Sequence, residues 1–572
     1  MRNALLLGAS LALGIVACSP SAPPAPPPLT DYTVNSGSER VPEQRAVVFE
    51  HADLGFTIDP VARRLAGDAR LTFKLTAPLH RIVLDLDRNL PIDAVEVDGK
   101  ALPTRAYRNP EGRLEIDLPH ALEAGATTTV RVVYHGAPHV AKKAPWDGGI
   151  VWSTTPDGQP WIATAVEGEG CDLFWPCIDY PTGRPRLVDE HVTVPKPLVA
   201  VGNGVAVGVD EKDGMRTYHW RAHDVSTYGI SLNIAPYREL SATYTSRFGN
   251  SYPMHYWYVD DETRARTLFA EFPRMLDFLE AAIGPYPFAA EKMGVVETPY
   301  KGMEHQTVNA YGNKYAKTPY GYDDLLQHEL AHEWFGNQMT NANWDDMWLH
   351  EGFASYMQPL YAESLGGEQA YFASLMRLRS GLANRHPIVS GKPRREDDVY
   401  VAERGGPGQD IYSKGALVLH TLRNTIGDEA FYRAVRLLVY GTEHPVPGNF
   451  SPRYGTTKEF IDIVDGVTGR DMHWFFNVYL YQAALPELKS ERDGQVLHLS
   501  WSVPGNGAFP MPIDVRVGDR VVTLPMTNGK GEVTLPEHAL YTIDPGSKLL
   551  RYDAGVAAFQ DELEARKKDK AG

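Results

Sequence analysis

The sequence is short of positive charge, of long apolar runs and of repeats. Lys and Arg number 56 against 72 Asp and Glu, a net charge of −16. A phosphate backbone needs clustered cations, so this balance argues against a nucleic-acid partner. The one short basic run, Lys567-Lys568-Asp569-Lys570, lies in a charged terminal tail and reads as a solvated helix end. After the N-terminal segment no stretch approaches the 18 or more apolar residues of a membrane-spanning helix. No internal repeat is visible, and cysteine is confined to positions 18, 171 and 177. Hydrophobic residues make up 43% and charged residues 22%, which excludes a disordered or fibrous chain. At 572 residues the chain is too long for one core, and two to four domains are expected.

The N-terminus carries a targeting signal. Arg2 is followed by "ALLLGASLALGIVA", an apolar run of 14 residues, too short to span a bilayer comfortably. It ends in "IVAC", which resembles the lipobox of a bacterial lipoprotein. The resemblance implies a signal peptide over residues 1–17, lipid on Cys18, and a protein tethered outside the cytoplasm at a bacterial membrane, facing the periplasm. Ser19 carries no strong inner-membrane retention cue, which favours the outer membrane. A plain secretory peptide with an incidental cysteine is the alternative. The following "SPSAPPAPPPLT" cannot pack a core and reads as a proline-rich tether, assigned to residues 18–45. Cys171 and Cys177 could pair in an oxidising compartment, but the spacing does not decide it, and the reading leans to unpaired thiols.

Hydropathy then divides the chain. From about Ala46 to Glu239 the period is mostly two, as in "ARLTFKLTA" and "TTTVRVVYHG", which predicts a β-rich domain over residues 46–240. Leu268, Phe269, Phe272, Met275, Leu276, Leu279 and Ile283 recur at helical spacing until "GPYPF" stops them. A short strand, "KMGVV", precedes helix upon helix to about Tyr481, and residues 241–484 are expected to form a second, mostly α domain. Alternation returns in "QVLHLSWSV", "IDVRV" and "RVVTLPM", predicting a small β-sandwich over 485–555 and a charged tail over 556–572.

The chemistry sits in "DLLQHELAHEWFGNQ". His328 and His332 lie one helical turn apart, pointing within about 40° of each other. Leu326, Leu330 and Trp334 follow the opposite, core-facing side of the predicted helix. Two imidazoles so placed can share a tetrahedral zinc, with Glu329 beside them. A catalytic zinc needs a third protein ligand and an open position. Glu351 in "WLHEGFASY", 18 residues beyond His332 on a helix predicted from Trp348 to Ala362, supplies it.

"HELAHEWFGN" and "WLHEGFASY" at this spacing resemble the aminopeptidase N family of gluzincins, peptidase family M1. "KGMEHQT" resembles its G-x-M-E-N exopeptidase loop and "DIYSKGALV" its Y-E-K-G segment. "AVEGEGCDLFWPCIDYP" resembles the early segment ending in P-C-x-D-x-P. The match spans most of residues 46–555. It implies a multidomain α+β protein with an N-terminal β-rich saddle domain, a thermolysin-like catalytic domain and the small C-terminal β-sandwich. The chain stops there, as in a short form without the long helical last domain of larger members.

The resemblance implies one zinc per chain on His328, His332 and Glu351, with Glu329 as general base and Tyr412 stabilising the oxyanion. It further implies that Glu304, flanked by Gly302 and Met303, holds the free amine of a peptide, with Glu167 as second anchor and Glu169 as the alternative. Four positions depart from the family pattern: Lys301, His305, His350 and Asp172. They put side-chain preference and pH optimum in doubt. The expected activity is release of single N-terminal residues from peptides with a free amine; oligomeric state is undetermined. An epoxide hydrolase of the leukotriene hydrolase type, a thermolysin-like endopeptidase and a catalytically inactive peptide-binding scaffold are the alternatives. The first of these branches carries a helical C-terminal domain, an amine-binding glutamate obstructs the second, and the intact ligand, base and tyrosine set weighs against the third.

Overall fold

The computed structural model describes residues 30–571. The signal peptide, Cys18 and the first part of the tether lie outside the described residues. Strands dominate the first half. An eight-stranded sheet is built around Val47–Asp59, which pairs antiparallel with Arg64–Leu75 and parallel with Leu187–Pro195. Alternate residues turn inward, so Leu54, Phe56 and Ile58 are buried on one strand and Leu65, Leu71 and Phe73 on its neighbour. They pack with Phe174 and Trp175 in one core. Gly149–Thr154 and Pro160–Ala165 belong to a separate four-stranded sheet. The Pro160–Ala165 strand leads directly into the loop bearing Glu167 and Glu169.

A five-stranded sheet then runs in the order Arg238–Thr245, Ser251–Tyr258, Met293–Glu297, Asn309–Tyr311, Gly302–Met303. Its edge strand, Gly302–Met303, pairs antiparallel with Tyr311 and Ala310. Beyond it come three helices that carry the site: α1 (Asp324–Ala331), α2 (Trp348–Ser380) and α3 (Asp410–Ile426). Two three-stranded sheets follow between Glu487 and Ile543, and the helix Ala554–Ala571 ends the chain. The apolar residues of these last sheets, Leu497, Ile513 and Val515 among them, join the core of the helical region.

Several sequence expectations are revised. The helical run from Leu268 to Ile283 is two helices, Glu262–Phe269 and Phe272–Ala282, the second with a proline in its first turn, where a missing N–H does no harm. The first zinc-motif helix is shorter than its hydrophobic pattern: α1 ends at Ala331, His332 caps it, and Trp334 lies in the following turn. The helix expected to end at Ala362 continues to Ser380 across a break at Gly367 (φ 69°).

Cys171 and Cys177, whose pairing the spacing leaves open with a lean to free thiols, are joined in a disulfide. The end of the presumed tether is not a spacer. Thr33, Asn35, Ser36 and Gln44 are buried. Tyr32 donates to Asp85, Gln44 donates to the other oxygen of Asp85 at 2.9 Å, and Ser36 donates to Asp179 at 3.0 Å. Polar side chains, invisible to a hydropathy reading, hold this strap.

Tyr32→Phe removes a donor from a buried carboxylate and should cost about 1–3 kcal/mol, read as a lower Tm and faster protease cleavage within residues 30–46. Asp31→Ala breaks only an exposed pair with Arg395 (2.8 Å, Asp31 side chain 66% exposed) and should change neither. Equal effects of the two substitutions would contradict the assignment.

Candidate active site

α1 begins at Asp323, whose side chain accepts the N–H of Leu326 at 3.1 Å and also the Tyr311 hydroxyl at 2.5 Å. The helix start is thereby fixed to the five-stranded sheet. At its far end His328 and His332 face each other with Nε2 atoms 3.1 Å apart. Glu351, in the first turns of α2, brings one oxygen to 3.2 Å from His328 and 3.5 Å from His332. α2 meets α3 at glycines: a Cβ on Gly352 would stand 3.2 Å from the Cα of Gly415 and the carbonyl oxygen of Ile411. Side chains at this crossing would push the helices apart and carry Tyr412 away from Glu351.

Two nitrogens and a carboxylate oxygen converge, all within 4.8 Å of one another. Ligands about 2.0–2.1 Å from a tetrahedral zinc are separated by roughly 3.3 Å, which matches the observed separations. His332 donates its Nδ1 proton to the Phe335 carbonyl at 2.9 Å, so Nε2 presents a lone pair toward Glu351. The converging Glu351 oxygen is buried with no hydrogen-bond partner. This donor set fits a divalent metal. A second group, Glu304, Glu329 and His332, also lies within 4.8 Å. It contains a single nitrogen, and Glu304 already accepts the Tyr228 hydroxyl at 2.8 Å, so the two-histidine set is the better metal site.

Glu329 stands beside the set, 5% exposed. Burial pushes its carboxyl well above the usual range; Glu304 and Glu351 add to this while His332 and Lys301 oppose it. A Cβ on Gly302 would lie 2.3 Å from Glu329 Oε1, so a side chain there would displace the carboxylate from its present position. Tyr412 lies over His328, ring centroids 6.2 Å apart. Burial, with Glu351 and Glu167 adding to it, pushes its phenol well above the usual value and keeps it an O–H donor.

Glu304 is 3% exposed. Its loop is stapled to the α1 segment: Asn337 donates to the Glu304 carbonyl at 3.0 Å, and Glu333 accepts the N–H of Thr307 at 2.9 Å and the amide of Asn309 at 2.6 Å. Thr307 sits at φ 62°, a conformation disfavoured for a β-branched residue and held here by those contacts. Glu167 has a buried oxygen without a partner. Burial, then the charge of Glu304, pushes its carboxyl well above the usual range.

His328, His332, Glu351, Glu329, Tyr412, Glu304, Gly302, Met303 and Glu167 all line one cavity of 1180 Å³, together with Glu169. Of the four departures from the family pattern only Lys301 reaches it. His305 is buried away from the cavity, and burial pulls its imidazole down to about 3. His350 is buried behind the site, where its Nε2 accepts the Asn341 N–H at 2.8 Å. Asp172 is buried beside Asp179, near the disulfide. Tyr228, Tyr400 and Glu396 were missed by sequence reasoning. Each comes from a segment without local periodicity or motif, and only the tertiary fold brings it to the site.

Residues 274–479 match the family model described as the peptidase family M1 domain. The Tricorn protease-interacting factor F2 of Thermoplasma volcanium is 24% identical over 402 residues, 64% of this chain and 47% of that protein. The Aminopeptidase N of Streptomyces lividans is 25% identical over 372 residues, 60% of this chain and 40% of that protein. The chain thus spans about half the length of these curated relatives. Among solved structures, the M1 zinc metallopeptidase of Deinococcus radiodurans is similar at TM-score 0.63 and 26% identity, covering 79% of this chain and 95% of that one. A mutant of the same protein with a bound Tyr-Ser-Ala substrate gives TM-score 0.64 at 26% identity, covering 77% and 96%.

Gly302→Ala should leave the fold intact but force the Glu329 carboxylate aside. A crystal structure of the variant with Glu329 in an unchanged rotamer would contradict the stated role of this glycine.

Proposed function

We propose that this chain, which carries the peptidase family M1 domain over residues 274–479, is a zinc-dependent aminopeptidase that hydrolyses the first peptide bond of peptides bearing a free N-terminal amine. One observation carries the proposal. The Glu304 carboxylate lies within 4.8 Å of both Glu329 and the nitrogen of His332. An ammonium held at Glu304 therefore brings the first peptide bond, and no later one, to the metal set.

His328, His332 and Glu351 would hold the metal, which when bound supplies Lewis acidity to a water and to the scissile carbonyl. Glu329, buried beside this set, would take the proton of the attacking water and return it to the leaving amine. Tyr412 keeps its proton and donates a hydrogen bond to the oxygen on which negative charge develops. Glu304 and Glu167 are carboxylates in a largely dry wall that gain a counter-charge when the substrate ammonium arrives. Tyr228 fixes the rotamer of Glu304 by donating to one of its oxygens. An endopeptidase would need room for residues upstream of the cleaved bond, which the Glu304 wall obstructs.

Tethering through Cys18 on the extracytoplasmic side of a bacterial membrane is part of the same proposal. It is supported by the leader and by the Cys171–Cys177 disulfide, a bond that persists in oxidising compartments. Among the described residues no helix is long and apolar enough to cross a membrane.

Aminoacyl chromogenic amides should be cleaved and their N-acetylated forms should not, with activity abolished by a chelator. Glu329→Gln should lower kcat by about 10²–10⁴ while retaining the metal. Glu304→Gln should mainly raise KM for free-amine substrates. Cleavage of blocked and free substrates at similar rates would overturn the exopeptidase assignment, and loss of metal from Glu329→Gln would overturn its role as base.

A further inference from the structure

The amine anchor and the metal set leave two cavity carboxylates without a task. Glu169 is 8% exposed; one oxygen accepts the Gly148 N–H and the other is buried without a partner. Glu396 comes from the other side of the wall, just ahead of the short helix Asp397–Tyr400. Glu396 packs against Gly168, the residue before Glu169: a Cβ there would stand 3.1 Å from the Cδ and Oε1 of Glu396. Glycine at 168 thus keeps the path from Glu167 to Glu396 clear of any side chain. Both carboxylates line the same cavity as Glu167, Glu304 and the metal set.

Two arginines near Glu396 in sequence have other partners: Arg404 pairs with Asp397 at 3.0 Å and Arg395 with Asp31 at 2.8 Å. Among the described residues neither Glu169 nor Glu396 forms an ion pair with a lysine or arginine. Burial pushes Glu169 up to about 7; burial, then the charge of Glu169, pushes Glu396 up to about 8. Two acids in one partly dry wall resist ionisation until a cation joins them.

We propose that Glu169 and Glu396 form the pocket for a cationic first side chain, so that the preferred substrates are peptides beginning with arginine or lysine. This rests on the aminopeptidase reading above. The backbone ammonium occupies Glu304 and Glu167, and the side chain extends past Gly168 to the second carboxylate pair. A guanidinium, planar and forked, can engage both carboxylates at once, whereas an ammonium on a flexible stem reaches them as a point charge.

The test compares kcat/KM for arginine, lysine, leucine and glutamate amides. Arginine and lysine should exceed leucine at least tenfold, with glutamate poorest. Glu396→Gln and Glu169→Gln should each lower the arginine-to-leucine ratio at least tenfold. With the wild-type enzyme, where folding of a variant is not in question, lysine amide should compete at least tenfold more tightly than norleucine amide, its uncharged counterpart. Leucine turnover without a basic preference overturns the pocket alone. Equal falls on arginine and leucine in both variants also overturn it, since they mean a structural role. No turnover of any free-amine substrate overturns the underlying aminopeptidase reading and the pocket with it.

Discussion

One carboxylate oxygen of Glu351, pressed against the Nε2 atoms of His328 and His332, governs the rest of the structure. Two imidazole nitrogens and a buried carboxylate oxygen without another partner converge here, a donor set that a divalent metal would satisfy. Specific contacts position them. The five-stranded sheet fixes the start of α1 through Tyr311 and Asp323, and the Gly352–Gly415 crossing sets how closely α2 and α3 approach. Lys414, one residue before that crossing, is buried and donates to the carbonyls of Gln482 (2.9 Å) and Ala483 (2.8 Å), which ties α3 to the segment leading into the last sheets.

The same electrostatic logic runs through the whole cavity. Glu167, Glu169, Glu304, Glu329, Glu351 and Glu396 converge on one space. Burial or mutual repulsion pushes Glu167, Glu169, Glu329 and Glu396 toward the protonated form. Such a concentration of acid is costly by itself and would turn favourable with the cations of the proposed function: a metal, a substrate ammonium and a basic side chain. Binding energy from the two ends of one residue would then orient the peptide bond between them.

The convergence of His328, His332 and Glu351 is legible in the sequence because a helix converts i, i+4 spacing into a shared face, and because Glu351 lies on the next helix. Strand alternation likewise marked Thr127–Gly136 and Ile513–Val517. What could not be read depends on polar contacts between distant segments. The strap over residues 30–46 is held by Tyr32 and Gln44 on Asp85, with no apolar period to announce it. Tyr228 reaches Glu304 across 76 residues, and Glu396 meets Gly168 across more than 200. His305, His350 and Asp172 depart from the family pattern in the sequence, and all three are buried outside the cavity. Spacing identifies residues that share a helix face; it does not say which way a loop residue turns.

The central claim is tested most directly by anomalous scattering at the zinc edge from crystals of the active protein. One peak per chain is expected, about 2.0–2.2 Å from His328 Nε2, His332 Nε2 and a carboxylate oxygen of Glu351. Active crystals with no peak there, or with a peak held by other side chains, would contradict the account.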